Sequence, residues 1–189
     1  MADSWCERCG NLLPHWDKIR CRSADGSYYL ICSPCWNAEI AESFGRTAFE
    51  NVRLDSVRMI DCDGESHKFQ IRVSLLDDKV LIDAFELREG YPAGYQFQLI
   101  GDSDDHVLIL LGRLVEKIRR ALSVRHIDFR KRCIVGSTVR GLIEWDEDGH
   151  LPRVIVDGQE LSWDDFGRIV LPLNGWLFRL DFADPSDEL

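Results

Sequence analysis

The sequence lacks any apolar stretch that approaches the ~20 residues needed to cross a lipid bilayer. Its first residues, Met-Ala-Asp-Ser-Trp, also lack the basic and apolar regions of a secretion signal. Seven cysteines, an odd number, in a chain without such a signal argue against a disulfide framework and for a reducing compartment. We therefore expect a cytoplasmic protein without a membrane-spanning segment.

Motifs that carry catalysis are missing as well. The five histidines are scattered, with no His-Glu-x-x-His pair and no neighbouring Ser or Cys in a nucleophile elbow. The acidic clusters Asp61-Cys62-Asp63 and Asp146-Glu147-Asp148 would suit the magnesium ligands of a nuclease, but each precedes glycine, as in a solvated turn. The sequence therefore favours a non-enzymatic role, with a metal-dependent nuclease-type enzyme as the third interpretation.

Positive charge is also scarce, since 23 Lys and Arg face 33 Asp and Glu for a net charge of −10. An acidic protein is repelled from nucleic acid at long range, so any such binding must depend on a local patch. Residues 113–132, here called the basic strip, carry eight cationic and two acidic side chains, a local charge of +6. The cationic residues are Arg113, Lys117, Arg119, Arg120, Arg125, Arg130, Lys131 and Arg132.

Two interpretations of the basic strip stay open. It could bind the phosphates of nucleic acid through salt-dependent contacts. Alternatively, it is the solvated face of a helix whose basic end complements the helix dipole and pairs with acidic residues. We favour the second, because Phe129 is the only aromatic side chain that could stack on a base in this stretch.

The strongest positive signal is two cysteine pairs of identical spacing, Cys6 with Cys9 and Cys32 with Cys35, separated by 22 residues. Each pair can direct two thiolates at one ion, and two pairs complete the tetrahedral shell that zinc prefers. Such a closed shell stabilises structure and leaves no open position for catalysis. Cys21 and His15 are spare ligands that could replace a member of the set. We expect zinc to contribute ~10 kcal/mol, so its removal should unfold residues 1–46.

The residues around the cysteines favour a treble-clef zinc finger. Gly10 suits a tight knuckle, Asp25-Gly26 predicts a hairpin turn, and a helix over 36–42 ends near Gly45. A zinc ribbon, the alternative, would place a second hairpin after Cys35.

Aromatic side chains flank the cysteines in greater number than a 46-residue module can bury. We expect some of them to bind a protein partner. These candidates for a protein interface are Trp5, Trp16, Tyr28, Tyr29 and Trp36.

The remainder of the chain changes to strand-like alternation, with a first strand suggested by Val52, Leu54 and Val57. Strands are predicted over 69–75 and 80–87, with a turn at Asp77-Asp78, a loop over 89–95 and a short strand over 96–100. Further strands are predicted over 153–156 and 176–182, and a capping box at 162–165 opens a short helix.

The best helix is predicted over 102–124, with Ser103, Asp104 and Asp105 at its start. Its expected apolar stripe consists of Leu108, Leu111, Val115, Ile118 and Leu122. The whole pattern predicts an α+β fold. A zinc-finger module, residues 1–46, precedes an α+β domain, residues 50–183, and an acidic tail, residues 184–189. The domain combines a mainly antiparallel sheet with one long amphipathic helix and a short C-terminal helix, because turns this short exclude crossover connections.

Four segments, 91–98, 114–122, 156–168 and 174–180, resemble an uncharacterised bacterial domain family. The resemblance covers about residues 50–183 behind the four-cysteine module, and it implies no activity. Together, the residues predict a non-enzymatic zinc-containing adaptor or regulator that binds a protein partner. Nucleic-acid binding through the basic strip is the alternative, and the sequence does not predict the oligomeric state.

Overall fold

A computed structural model describes residues 4–45, 54–102, 104–146 and 150–187 of the chain. Its N-terminal part has two short antiparallel hairpins followed by a helix. These elements are β1 (Ser4–Trp5), β2 (Leu12–Leu13), β3 (Ile19–Arg22), β4 (Tyr28–Ile31) and α1 (Ser33–Ser43). As predicted, the helix starts at the second cysteine pair and ends before Gly45, whose φ of +66° favours glycine.

The central part is an antiparallel sheet of four strands in chain order, β5 (Val57–Ile60), β6 (Ser66–Leu76), β7 (Lys79–Arg88) and β8 (Tyr91–Asp102). The strands predicted over 69–75 and 80–87 are confirmed. Of the residues suggested for the first strand, Val57 opens β5, Leu54 precedes it, and Val52 lies outside the described residues.

The loop predicted over 89–95 is wrong. Only Glu89 and Gly90 form the turn, both with positive φ, and β8 begins at Tyr91. Gly94 and its neighbours suggested a loop, but Gly94 and Tyr95 form a bulge in β8 opposite Phe85 and Glu86, and the strand continues past it. The strand predicted over 96–100 is therefore the second half of a strand of 12 residues.

Helix α2 (Val107–Leu122) covers one face of the sheet. It begins five residues later than predicted, because Asp102 still belongs to β8 and pairs with Lys79. The cap is His106, whose Nδ1 accepts the Leu108 N–H at 3.3 Å, and Ser103 lies outside the described residues.

The apolar stripe of α2 is also corrected in its first two turns. The buried residues are Val107, Leu110, Leu114, Ile118 and Leu122, whereas Leu108 is 55% exposed. Five consecutive apolar residues open this helix, so periodicity alone cannot fix which of them face the sheet. The stripe packs on Phe69, Ile82 and Leu99, which are also fully buried.

The C-terminal part has a small core of its own, formed by Ile127, Val154, Val156 and Ile169. Its elements are β9 (Ile127–Asp128), β10 (Cys133–Ile134), β11 (Leu142–Glu144), β12 (Arg153–Val156), β13 (Gln159–Ser162) and α3 (Trp163–Val170). The predicted start of the helix at Ser162 is confirmed, because the Ser162 hydroxyl accepts the Asp165 N–H at 3.0 Å and donates to its carboxylate at 2.7 Å. All strand pairs among the described residues are antiparallel, which confirms the α+β class.

The final strand predicted over 176–182 is wrong. This segment has no regular secondary structure and joins no described strand, and it is here called the apolar segment. Alternating apolar and polar residues allow a segment to form a strand. A strand also needs the edge of a neighbouring strand to pair with, and the alternation does not show whether one is present. Among the described residues, no helix is both long and apolar enough to cross a membrane.

Candidate metal centre

The four paired cysteines come together at one point of the N-terminal part. Cys6 follows β1, Cys9 lies in the turn before β2, Cys32 caps α1, and Cys35 lies in its first turn. Their sulfur atoms all lie within 4.8 Å of one another, and the Sγ atoms of Cys9 and Cys32 are 3.8 Å apart. Four thiols at these distances form a group that could hold a metal ion.

The knuckle around Cys6 is fixed by its backbone. The Gly10 N–H donates to the Cys6 carbonyl, and the Cys6 N–H donates to the Asn11 carbonyl, both at 2.8 Å. Gly10 has a φ of +73°, a left-handed conformation that side-chain-bearing residues rarely adopt. The chain can therefore reverse within five residues and present Cys6 and Cys9 on the same side.

Backbone N–H groups lower the pKa of the Cys6 thiol. Its burial opposes ionisation, but N–H groups of Cys9, Cys32 and Arg8 outweigh this and lower its pKa to about 6. Burial raises the pKa of Cys35, and hydrogen bonds that its S–H group donates to neighbouring sulfur atoms add to that effect. The arrangement favours ionised Cys6 and protonated Cys35 in the absence of a cation, whereas a divalent cation would favour the ionised form of every ligand.

The two spare ligands, Cys21 and His15, have other surroundings, although Cys21 packs in the same apolar cluster as Cys6 and Cys32. Cys21 is buried on β3 within the small apolar core of the N-terminal part. The Nδ1 atom of His15 lies 3.3 Å from Lys18 Nζ, and its ring stacks on Tyr91 at 4.6 Å. Neither belongs to the four-sulfur group found among the described residues.

The cysteine-bearing helix is fastened to the central sheet through an open strand edge. β5 pairs only with residues 66–69 of β6, so the following backbone groups on that side of β6 need other partners. The Asn37 amide donates to the Val73 carbonyl at 2.9 Å and accepts the Leu75 N–H at 2.8 Å. Trp36 Nε1 donates to the Leu75 carbonyl at 3.0 Å, so α1 takes the place of a neighbouring strand.

A second tie joins the sheet to the loop before β3. Arg72 donates to the Trp16 carbonyl at 2.9 Å and to one Asp83 oxygen at 3.0 and 2.9 Å. Asp83 is buried, and this burial raises its pKa although the charge of Arg72 opposes the effect. The metal-binding group thus belongs to a module held on the sheet by several specific hydrogen bonds.

The five predicted interface aromatics divide into inner and outer positions. Trp36 bonds to the sheet, Trp16 packs on Phe85 at 5.9 Å, and the Tyr29 hydroxyl donates to Glu39 at 3.2 Å. Trp5 and Tyr28 are 57% and 56% exposed. Only the outer pair offers large apolar area to a partner.

Four of the eight cations of the basic strip form ion pairs with acidic side chains, and a fifth bonds to backbone carbonyl oxygens. Arg119 and Arg120 share Glu116 at 2.7 and 2.9 Å. Arg125 pairs with Asp63, and Lys131 lies 3.4 Å from Asp128. Lys117 donates to the carbonyl oxygens of Gln98, Pro185 and Asp187. This geometry agrees with the interpretation of the strip as a solvated, internally paired face, and nucleic-acid binding stays a prediction.

The acidic cluster Asp61-Cys62-Asp63, considered above as a magnesium site, forms a turn that is fixed by hydrogen bonds. One oxygen of Asp61 accepts the N–H groups of Asp63 and Glu65, at 2.9 and 2.8 Å. Its other oxygen lies 3.1 Å from His67, whose second ring nitrogen lies 2.9 Å from Glu86. Burial opposes a charge on His67, but the hydrogen bonds to Glu86 and Asp61 outweigh it and raise its pKa. Asp61, Glu65 and His67 could also hold a metal. However, the Asp61 carboxylate and both ring nitrogens of His67 already have hydrogen-bond partners within the chain.

The most exposed apolar surface was missed in the sequence. In the apolar segment, Trp176 is 69% exposed, Phe178 90%, Leu180 64% and Phe182 74%. These four residues alternate along the chain, so they would share one side of the segment in an extended conformation. The alternation itself was visible in the sequence, and it was interpreted as pairing within the chain rather than as an open surface.

Fold and site define this chain as an α+β protein with an N-terminal group of four cysteines that could hold a metal ion. Three family models match it in succession, each described as a domain of unknown function: DUF7685 over residues 5–47, DUF7686 over 50–123 and DUF7713 over 126–187. These matches support the resemblance to an uncharacterised domain family. No curated protein and no solved structure matches the chain. The division at residues 1–46, 50–183 and 184–189 stays a prediction.

Proposed function

We propose that this protein is a non-enzymatic adaptor or regulator of the bacterial cytoplasm. A structural zinc ion shapes its N-terminal module, and the apolar segment binds a protein partner. The observation that carries the proposal is the row of exposed apolar side chains from Trp176 to Phe182. Four thiolates hold a metal only while they are reduced, which agrees with a cytoplasmic location.

Zinc suits the distances within the cysteine group. Sulfur atoms bound at ~2.3 Å around a tetrahedral zinc ion lie about 3.8 Å from one another. The Sγ atoms of Cys9 and Cys32 have that separation. A knuckle, a hairpin and a helix that begins at the second pair are the parts of a treble clef, and they occur here in that order. Four thiolates would fill the zinc shell, so the metal would stabilise the module without reaching a substrate.

The apolar segment suits a partner with an exposed sheet edge or an apolar groove. Exposed apolar patches of this kind mark interaction sites on soluble proteins. A segment with alternating apolar residues and no strand partner can add to a sheet edge, where main-chain hydrogen bonds provide affinity and alternate side chains provide specificity. Trp176 and Phe178 are the residue types that dominate binding energy in protein interfaces.

Site-specific photo-crosslinking in the full chain tests this surface. A photoreactive phenylalanine analogue replaces Phe178 in one variant, Tyr28 in a second and Ile60 in a third. Ile60 is the matched control, since it is 69% exposed on β5, away from both candidate surfaces. We expect one cellular protein to be crosslinked at position 178, with competition by the unlabelled wild-type chain. The variant Phe178→Asp with Leu180→Asp should not compete.

Two results would contradict the proposal. Equal crosslinking at positions 60 and 178 would show that exposure alone explains the capture. Crosslinking at position 28 with none at 178 would place the interface on the cysteine module and refute the role of the apolar segment.

A further inference from the structure

A cavity of about 900 Å³ lies beside α2, remote from the cysteine group. This volume falls within the range of small-molecule sites. Its walls come from four parts of the chain: β8, α2, the β11–β12 region and the C-terminal tail. No residue of the four-cysteine group lines it, so the cavity requires a separate explanation.

One wall of the cavity is aromatic and firmly packed. The rings of Tyr95 and Phe97 are nearly parallel, with centroids 6.0 Å apart. The Tyr95 ring also occupies the space that a side chain at Gly158 would need, and Gly158 has a φ of +69°. Arg88 donates to the Gly158 carbonyl at 2.8 Å, which fixes this turn against the sheet. The aromatic wall is therefore preformed.

The folded walls carry an excess of positive charge. Apart from the C-terminal tail, the lining contains four cationic residues, Arg113, Lys117, Arg120 and Arg140, and two acidic residues, Glu116 and Asp157. Both carboxylates have partners in the fold. Glu116 accepts from Arg119 and Arg120, and Asp157 accepts the N–H groups of His126 and Ile127 at 2.8 Å.

The chain's own acidic tail lies against this cationic wall. Asp184 and Asp187 line the cavity, and Lys117 donates to the carbonyl oxygens of Pro185 and Asp187 at 2.8 and 2.6 Å. The acidic tail and the cationic wall are complementary in charge, and a smaller anion bound at the same wall would use the same complementarity.

A glycine within the helix keeps part of the cavity open. Gly112 lies in the middle of α2, where glycine is less favourable than alanine. A Cβ atom at this position would meet nothing within 4 Å among the described residues, and Gly112 lines the cavity. A side chain here would therefore project into cavity space rather than into the core.

We propose that this cavity binds an amphipathic organic anion. Its flat apolar body would pack on Tyr95 and Phe97, and its carboxylate or sulfonate would lie next to Arg113 and Arg140. The inference is independent of the partner proposed for the apolar segment, because the two surfaces share no residue.

Fluorescence titration with the anionic dye 1-anilinonaphthalene-8-sulfonate tests the proposal. All titrations use the full chain carrying Trp176→Ser, Phe178→Ser, Leu180→Ser and Phe182→Ser, which removes the exposed aromatic side chains of the apolar segment as a second site for the dye. The uncharged analogue N-phenyl-1-naphthylamine is the matched probe. We expect the sulfonate to bind at least about tenfold more tightly than the analogue, as charge-assisted hydrogen bonds predict.

Gly112→Leu should weaken sulfonate binding at least about tenfold, because the side chain fills the cavity. Gly167→Leu is the matched control, since Gly167 lies in α3, a Cβ there also meets nothing within 4 Å, and it does not line the cavity. Both variants should keep or raise the midpoint of thermal unfolding. Arg140→Gln should reduce the preference for the sulfonate over the uncharged analogue.

Equal affinity for the two probes would overturn the anion preference. Equal effects of Gly112→Leu and Gly167→Leu, or no effect of either, would overturn the site. Because the background variant lacks the apolar segment's aromatic surface, these outcomes do not depend on the proposed protein partner.

Discussion

Asn37 is the side chain on which the attachment of α1 to the sheet depends most. It is 3% exposed, and its amide bonds to the backbone of β6 at both Val73 and Leu75. The variant Asn37→Ala would leave one carbonyl and one N–H group without that partner, next to side chains that are themselves buried. An unsatisfied buried polar group costs about 1–3 kcal/mol, so the two together cost about 2–6 kcal/mol.

We expect a loss of about 3 kcal/mol in the free energy of unfolding, near the low end because water can reach part of an open strand edge. Urea titration followed by far-UV circular dichroism measures it, with zinc present throughout. Glu42→Ala on the same helix is the matched control. Glu42 is 80% exposed and lies 3.6 Å from Arg8, so its loss should cost less than about 1 kcal/mol. A cost for Asn37→Ala no greater than that of Glu42→Ala would refute the attachment described here.

Two further predictions concern charged groups. Because the pKa of His67 is raised above its ordinary 6.5 by Glu86 and Asp61, protonated His67 stabilises the fold. This contribution is fully present below about pH 6.5 and is lost as the pH rises through the folded pKa. The stability difference between the wild type and His67→Gln should therefore be larger at about pH 6 than at about pH 9 in urea titrations, and a difference independent of pH would refute it. For the basic strip, we expect no shift of labelled nucleic acid at low salt, because Arg119 and Arg120 are already paired. A salt-dependent shift that is lost with Arg119→Glu and Arg120→Glu would contradict this expectation.

Local chemistry made several parts of the fold predictable from the sequence. The helix cap at Ser162, the turn at Asp77-Asp78 and the start of α1 depend on side chains within a few residues of one another. The cysteine group was predictable for a related reason, since each pair is local and two equal spacings suit one tetrahedral ion.

The parts that could not be predicted depend on distant contacts. β8 continues across Gly94 because a bulge in β8 restores its pairing with β7 as far as Tyr91. The apolar segment alternates like a strand, but no described strand pairs with it. Asn37 bonds to the edge of β6 because β5 pairs with only part of that strand. The sequence of α1 does not show how far β5 pairs along β6.

The metal content of the purified protein tests the central claim most directly. Elemental analysis by mass spectrometry of the full chain, and of Cys9→Ser, measures bound metals after desalting. We predict about one zinc ion per chain in the wild type and a severe loss in Cys9→Ser, because three thiolates cannot close the shell. A Cys21→Ser variant should keep its zinc. A wild-type chain without zinc, or a Cys9→Ser chain that binds as much as the wild type, would contradict the account.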